Sequence, residues 1–338
     1  MELPEPNHSL SRLIYQTYEE RQESPRPHLG CSLLGHPCER WLWLSFRWAV
    51  IEAFDGRILR LFQRGQREEA VVISDMEAAG CTVSGTQDRV GFGSHVSGSI
   101  DGIVKGVPEA PKKPHVLEIK THSLKSFEDL LKHGVEKSKP MHYVQMQVYM
   151  LGKGLDRALY VAVCKNDDRI YTERVRLDDE TAIKAVDRGK RIALDDRLPP
   201  PLSNDPTWYE CKFCPAHTFC FDTHLTQEVN CRTCAHSTAK PDSTWRCERH
   251  DGDNIPVDFQ RKGCDCHVLH PDLVPWKMLE STTEWDAMYE IDGHSVANGE
   301  PDVCVFGSKE ILANPTGCAK GQHSIASYRQ LLGARVDG

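Results

Sequence analysis

The sequence predicts an α/β protein, a mixed central sheet flanked by helices, with a small Cys-rich, metal-binding C-terminal appendix. Three observations carry this. Over the first two hundred residues the hydrophobic periodicity runs helix, strands, helices, strands, helix, an order that sets helices against a sheet. The cysteines change density: Cys31, Cys38, Cys81 and Cys164 are scattered, whereas Cys211, Cys214, Cys220, Cys231, Cys234, Cys247, Cys264 and Cys266 crowd together, with Cys304 and Cys318 beyond. A Pro-rich connection from Arg197 to Pro206 stands where the density shifts. The expected division is a main domain over 1–226, a Cys-rich module over 227–275 and a small β-rich segment over 276–338.

Taken in order, helices are expected near 8–22 and 39–50, then a long one near 57–79. In the long helix Ile58, Phe62, Gly65, Glu69, Val72, Met76 and Ala79 recur at spacings of four and three, which lines them along one face. Glu69 therefore sits on the stripe that faces the core, where a carboxylate costs several kcal/mol unless it is paired or metal-bound. Glu68 falls to the side. Strands are expected at about 82–90, at 94–105 and at 115–121, the last two joined by a Pro/Lys-rich turn. Helices near 126–136 and 140–152, strands near 157–164 and 169–177 and a helix near 179–195 follow. Beyond Pro275 the pattern is a short β-meander and a helix near 308–313, to which no chemistry is assigned.

Composition narrows the class. The net charge is −8, from 41 Lys and Arg against 49 Asp and Glu, so any nucleic-acid contact must come from a local groove. The stretch from Lys105 to Tyr143, with eight Lys against five acids and His115, His122, His133 and His142 interleaved, is either such a groove rim or a solvated face. No apolar run approaches the ~20 residues of a spanning helix, and Met1 to Pro27 is polar and acidic where a signal peptide is basic and then apolar. The expectation is a cytoplasmic chain, not a membrane protein, whose reduced thiols serve as metal ligands.

Within the strand near 115–121, Glu118 and Lys120 are two apart and share a face, while Leu117 and Ile119 point into the packing behind. Asp101, on the preceding strand, can meet them across the pair. With Glu69 added, three carboxylates make an oxygen-rich site suited to Mg²⁺ or Mn²⁺, and Lys120 supplies positive charge beside a phosphate. An isolated Glu-x-Lys is more often an exposed strand face. The company of Asp101 and Glu69, and of Gln145 and Tyr149 one helical turn apart, favours a site.

These residues resemble the PD-(D/E)xK nuclease superfamily, and within it the RecB-like branch. The matching stretches are Gly65-Gln-Arg-Glu-Glu69, Gly98-Ser-Ile-Asp-Gly102, Glu118-Ile-Lys120 and Gln145-Met-Gln-Val-Tyr149, in the family's order. The resemblance implies a restriction-endonuclease-like core. It implies that Glu69, Asp101, Glu118 and the backbone carbonyl of Ile119 bind Mg²⁺ or Mn²⁺, that Lys120 is catalytic, and that Gln145 and Tyr149 brace the site and touch DNA. Two departures are Glu69, where many relatives carry His, and Ile100, where the superfamily name has Pro.

Cys211, Cys214 and Cys220 form a C-x2-C-x5-C turn, and one distant cysteine would complete a four-thiolate set. Cys38, followed by Arg40 and an aromatic helix, resembles the N-terminal cluster ligand of RecB-like nucleases, and on that resemblance it is preferred to Cys31. Four thiolates suit zinc or iron–sulfur, and spacing does not decide between them. Here the chain resembles RecB-like nucleases that carry an iron–sulfur cluster, including CRISPR-adaptation and phage recombination exonucleases. This implies a 4Fe–4S cluster on Cys38, Cys211, Cys214 and Cys220, stapling distant parts of the chain. Cys231, Cys234, Cys247 and Cys264 have the spacing of a small Zn²⁺ module, with Cys266, His250 and His267 as alternates. Cys81 and Cys164 are read as small buried hydrophobes.

The expected function is a metal-dependent deoxyribonuclease, an exonuclease acting on DNA ends or single strands in phage-type recombination or repair. A recombination or replication protein is the expected partner. The alternative is an idle DNA-binding or assembly subunit that keeps the fold, which the presence of every acid and the lysine disfavours. An electron-transfer role is disfavoured by the absence of a Gly-x-Gly-x-x-Gly fingerprint.

Overall fold

A computed structural model describes residues 9–280 and 283–321. Residue 8, the start of the first expected helix, and residues 322–338 of the expected C-terminal segment lie outside them. The chain divides into two compact units, one made of the chain up to His36 with Glu52–Arg191, the other of Pro37–Ile51 with Ile192 onward. These bounds differ from the division expected at 226 and 275. The second unit takes in the Pro-rich connection and the Cys211 to Cys220 loop, and it draws 37–51 from the N-terminal half.

In the first unit, α1 (Leu10–Glu19) packs on a later long helix, and β1 (Leu29–Gly30) follows. Past α2 (Glu39–Phe46), which belongs to the other unit, α3 (Gly56–Ala78) opens on Asp55, whose carboxylate accepts the Ile58 N–H at 2.9 Å. The strands β2 (Thr82–Ser84), β3 (Arg89–Gly93), β4 (Val96–Ser99), β5 (Gly102–Lys105) and β6 (His115–His122) come next. Then come α4 (Leu124–Ser138), α5 (Pro140–Lys153), β7 (Arg157–Cys164), β8 (Ile170–Arg176) and α6 (Asp179–Leu194). The main sheet has the order β2-β5-β6-β7-β8, with β6 and β7 parallel and the other pairs antiparallel. That mixture is what the sequence predicts.

The strand expected over 94–105 is broken. Residues 96–99 pair with β1 and β3 in a separate three-stranded sheet, and the chain bends at Asp101 before β5 joins the main one. Asp101 spends its carboxylate on the Ile119 N–H rather than continuing a straight ladder. One face of the main sheet buries Val104, Leu117, Ile119, Leu159, Val161 and Val163 against Val72 of α3, so the alternation read for Leu117 and Ile119 holds. The stripe on α3 is only partly covered: Val72 is buried, but Phe62 is exposed and meets Phe54 edge-on.

The second unit is held by two buried guanidinium groups, which is why it recruits 37–51. Arg47, just past α2, pairs with Asp196 at 2.6 Å and lies over the rings of Trp43 and Trp245. Arg232 donates to the Phe46 carbonyl at 2.8 Å and to Gln260 at 2.9 Å, and sits 3.8 Å from the centroid of the Trp48 ring. Its remaining elements run in order from α7 (Tyr209–Lys212) through a hairpin of β9 (Ser237–Ala239) and β10 (Trp245–Cys247) to α8 (Val257–Lys262). A four-stranded sheet of β11 (Lys277–Leu279), β12 (Ala287–Ile291), β13 (His294–Asn298) and β14 (Val305–Phe306) packs with α9 (Ser308–Ala313) and α10 (Pro315–Lys320) around Leu269, Tyr289, Val296 and Ile311.

Helix α4 is kinked at Gly134, whose φ of 72° is left-handed, and Val135 beyond it turns its N–H to Glu173 at 2.8 Å. An L side chain at that φ is strained. Gly134→Ala should therefore lower stability by about 1–2 kcal/mol, read as a lower urea midpoint with an unchanged slope.

Candidate active site and metal centres

The site is built on the central strand of the main sheet. Continuing the β5–β6 register by one residue sets Asp101 opposite Glu118, and the Asp101 carboxylate accepts the N–H of Ile119 at 2.7 Å. The Lys120 ammonium forms an ion pair with Glu118 and donates to the Ile119 carbonyl at 3.2 Å. Ile119 thus ties two of the groups together, its N–H holding Asp101 and its carbonyl holding Lys120, while its side chain anchors the strand in the core. Glu69 comes from α3, where Gly65, one turn earlier, lies beside Thr121 of β6. Of the four residues expected together, Asp101, Glu118 and Lys120 are linked through the Ile119 peptide and an ion pair, and Glu69 is near enough for its charge to act on Glu118 and Lys120.

Their electrostatics are those of crowded carboxylates. Glu118 is wholly buried, and among the described residues its oxygens have no partner besides Lys120. Burial, then the charges of Asp101 and Glu69, push its pKa up to about 7, against the pull of Lys120. Asp101 is raised by burial, opposed by Lys120 and by the Ile119 N–H. Glu69 is raised by burial and then by Asp101. For Lys120, burial works to lower the pKa, but Glu118, Asp101 and Glu69 outweigh it and hold the ammonium above its usual range. Three carboxylates and a carbonyl, one carboxylate cut off from water, fit a hard divalent cation, whose charge would relieve the mutual repulsion.

Gln145 and Tyr149 lie on the buried side of α5, one turn apart. The Tyr149 hydroxyl comes so close to Gly98 that a Cβ there would stand 2.8 Å from it, so Gly98 is required by the approach of this ring. Cys31, the rival cluster ligand, packs at the same spot and is fully buried. Sequence reasoning missed a hydrogen-bonded trio on the Glu118 face: the Tyr160 hydroxyl lies 2.9 Å from His122 Nε2 and 2.8 Å from His142 Nδ1. Burial, then nearby lysines, lowers these imidazoles to about 4 and about 3. His115 is buried as well. His115 and His122 are buried and His142 is half-buried, so the exposed lysines carry much of the positive charge this stretch presents. The signal was the alternation within β6, which puts His122 on the face of Glu118 and Lys120.

Cys38, Cys211, Cys214 and Cys220 line one cavity in the second unit, with Arg40 and His217. Burial raises the last three thiols, Cys214 to about 11, and Cys38 adds to the rise in each. Cys38 caps α2, its sulfur accepting the Trp41 N–H at 3.4 Å. Cys231, Cys234, Cys247, Cys264 and Cys266 line another cavity. Burial pushes Cys231 up to about 11 and Cys234 up to about 12, with Cys264 adding to both, and the Cys234 sulfur accepts the Val268 N–H at 3.4 Å. Of the alternates, His267 has both ring nitrogens engaged, by Ser308 at 2.8 Å and Thr233 at 3.1 Å. Among the described residues, the one group of three or more donors whose ligand atoms all lie within 4.8 Å of one another is His250, Cys264 and Cys266. The two expected quartets line their cavities at wider spacing. No helix among the described residues is long and apolar enough to cross a membrane.

No family model matches the chain, and no curated protein matches it. Among solved structures it is similar in fold to SSO0001, at a TM-score of 0.39 and 16% identity over 63% of this chain and 96% of that one. It is similar to an alkaline exonuclease from Laribacter hongkongensis, at 0.38 and 16% over 52% and 90%. A phage-related exonuclease from Haemophilus somnus 129PT matches at 0.30 and 20% over 39% and 68%. Likenesses of this degree say nothing of activity.

A carboxyl whose folded pKa is raised binds its proton more tightly in the folded state, so stability is lost as pH rises from the ordinary carboxylate range through the folded value. For Glu118 that window runs from 4.5 to about 7. The metal-free protein should therefore melt at a higher temperature near pH 5.5 than at pH 8 in a calorimetric scan. Glu118→Gln should flatten this difference and raise the pH 8 melting temperature by roughly 2–5 °C.

Proposed function

We propose that the chain is a Mg²⁺- or Mn²⁺-dependent deoxyribonuclease acting on DNA ends or single strands. The observation that carries the reading is the convergence of Asp101 and Lys120 on the Ile119 peptide, with Glu118 paired to Lys120 and the charge of Glu69 acting on the group. Glu69, Asp101, Glu118 and the Ile119 carbonyl would hold the ion, which supplies Lewis acidity at a phosphate and lowers the pKa of a bound water. Lys120 holds positive charge where negative charge grows on the phosphate, and its pairing with Glu118 fixes the ammonium in place. Gln145 and Tyr149 brace that face of the strand. Exposed lysines between Lys105 and Lys137 are the candidate backbone contacts. An exonuclease of phage-type recombination or repair, working with a recombination or replication partner, is the finer form of the reading.

The two cysteine groups complete it. Cys38, Cys211, Cys214 and Cys220 are proposed to hold a 4Fe–4S cluster, which would link α2 to a loop about 170 residues later. Cys231, Cys234, Cys247 and Cys264 are proposed to hold zinc. Thiols raised by burial and by one another are what a metal that binds thiolates would relieve.

End-labelled single- and double-stranded DNA, incubated with and without Mg²⁺ or Mn²⁺, tests the activity. Asp101→Ala, Glu118→Ala and Lys120→Ala should each slow cleavage at least about 100-fold while DNA binding survives. Wild-type turnover in any of them rules out the site, and metal-independent binding without cleavage by the parent protein would favour the idle-subunit reading. In the same assay Glu69→Gln should raise the Mn²⁺ concentration needed, and Glu68→Gln should not.

Protein purified without oxygen should be brown, with a broad band near roughly 400 nm. Cys38→Ala or Cys214→Ala should bleach it, and a colourless protein with zinc at those cysteines would replace iron with zinc in the account.

A further inference from the structure

The cavity of the second cysteine group holds more donors than one ion takes. A tetrahedral zinc ion uses four, which the proposed quartet of Cys231, Cys234, Cys247 and Cys264 would supply. Cys266 lines the same cavity. His250 turns its Nε2 to within 3.8 Å of the Cys264 sulfur, and the donor atoms of His250, Cys264 and Cys266 form the compact triad already described. Two donors are thus left over, and both stand beside Cys264.

We propose that this module binds a second thiophilic divalent ion of the zinc class, held by His250, Cys264 and Cys266, with the Cys264 thiolate shared between the two ions. It rests on reading the quartet as a zinc site, and adds a site to it. A thiolate sulfur keeps spare lone pairs after its first metal bond, so one sulfur serves two ions where donors converge on both sides of it. Neutral imidazole and thiolate are the donors zinc prefers, and the Cys266 proton leaves to solvent as the metal–sulfur bond forms. Burial and then Glu300, itself paired with Arg249 at 2.9 Å, push the Cys266 thiol up to about 11 against the weaker pull of Arg249, so the metal must displace a firmly held proton. His250 and Cys264 are exposed and Cys266 is half-buried, so the second ion faces solvent with one position left for water. It should be the more labile of the two.

The full-length chain is equilibrated with excess zinc, desalted and analysed for zinc per chain. Cys266→Ser should lose one equivalent relative to the parent, and the double variant Cys234→Ser/Cys266→Ser should lose two. A chromophoric chelator should strip one equivalent early from the parent and none early from Cys266→Ser. Parent-level zinc in Cys266→Ser, or only one equivalent lost in the double variant, overturns the second ion. Parent-level zinc in Cys234→Ser alone overturns the quartet, and with it the sharing, so failure of the underlying reading is distinguishable.

Discussion

The carboxylate of Glu118 is buried without access to water, and the arrangement around it depends on how that charge is accommodated. An isolated buried carboxylate would take up a proton. Here the strand that buries it also carries Lys120 two residues on, and the pleat puts both on one face. The neighbouring chain bends at Asp101 instead of running straight, so a second carboxylate arrives and is held by the Ile119 N–H. The result is poised: Lys120 stabilises the anions, burial and mutual repulsion oppose them, and a divalent cation would tip the balance. Sites whose groups are this perturbed are where chemistry tends to be done.

The second unit meets the same problem with cations. Arg47 and Arg232 are buried, each donates to a carbonyl oxygen, Arg47 also pairs with Asp196, and each lies over the faces of tryptophan rings. Replacing either by an apolar residue would leave carbonyls without donors, while removing Asp196 would leave Arg47 charged and short of its counter-ion. These contacts tie 37–51 to the later chain of the unit.

Much of the fold could be read from the sequence because the main sheet obeys its periodicity. The strand over 157–164 and the helix over 308–313 fall where the pattern puts them, since continuous burial and clear caps leave few alternatives. The bend at Asp101 was not legible, because Ser97 to Lys105 alternates acceptably as one strand and only the Ile119 N–H says otherwise. Glu69 was legible as a misplaced acid on an apolar stripe. His122, His142 and Tyr160 were not, since a histidine among lysines reads as surface until the strand face is known. The grouping of 37–51 with the later chain was not legible either: Arg47 and Arg232 look like solvent-exposed charges until the tryptophans that cover them are brought together.

With its pKa pushed up to about 7, Glu118 shares its site with a proton near neutral pH, and a divalent cation would displace that proton. Calorimetric titration of the protein with Mn²⁺ near pH 6.5, in buffers of different ionisation enthalpy, measures it directly. The account predicts release of a large fraction of a proton on binding, abolished in Glu118→Gln. Mn²⁺ binding with no proton release, or release unchanged in Glu118→Gln, would contradict it.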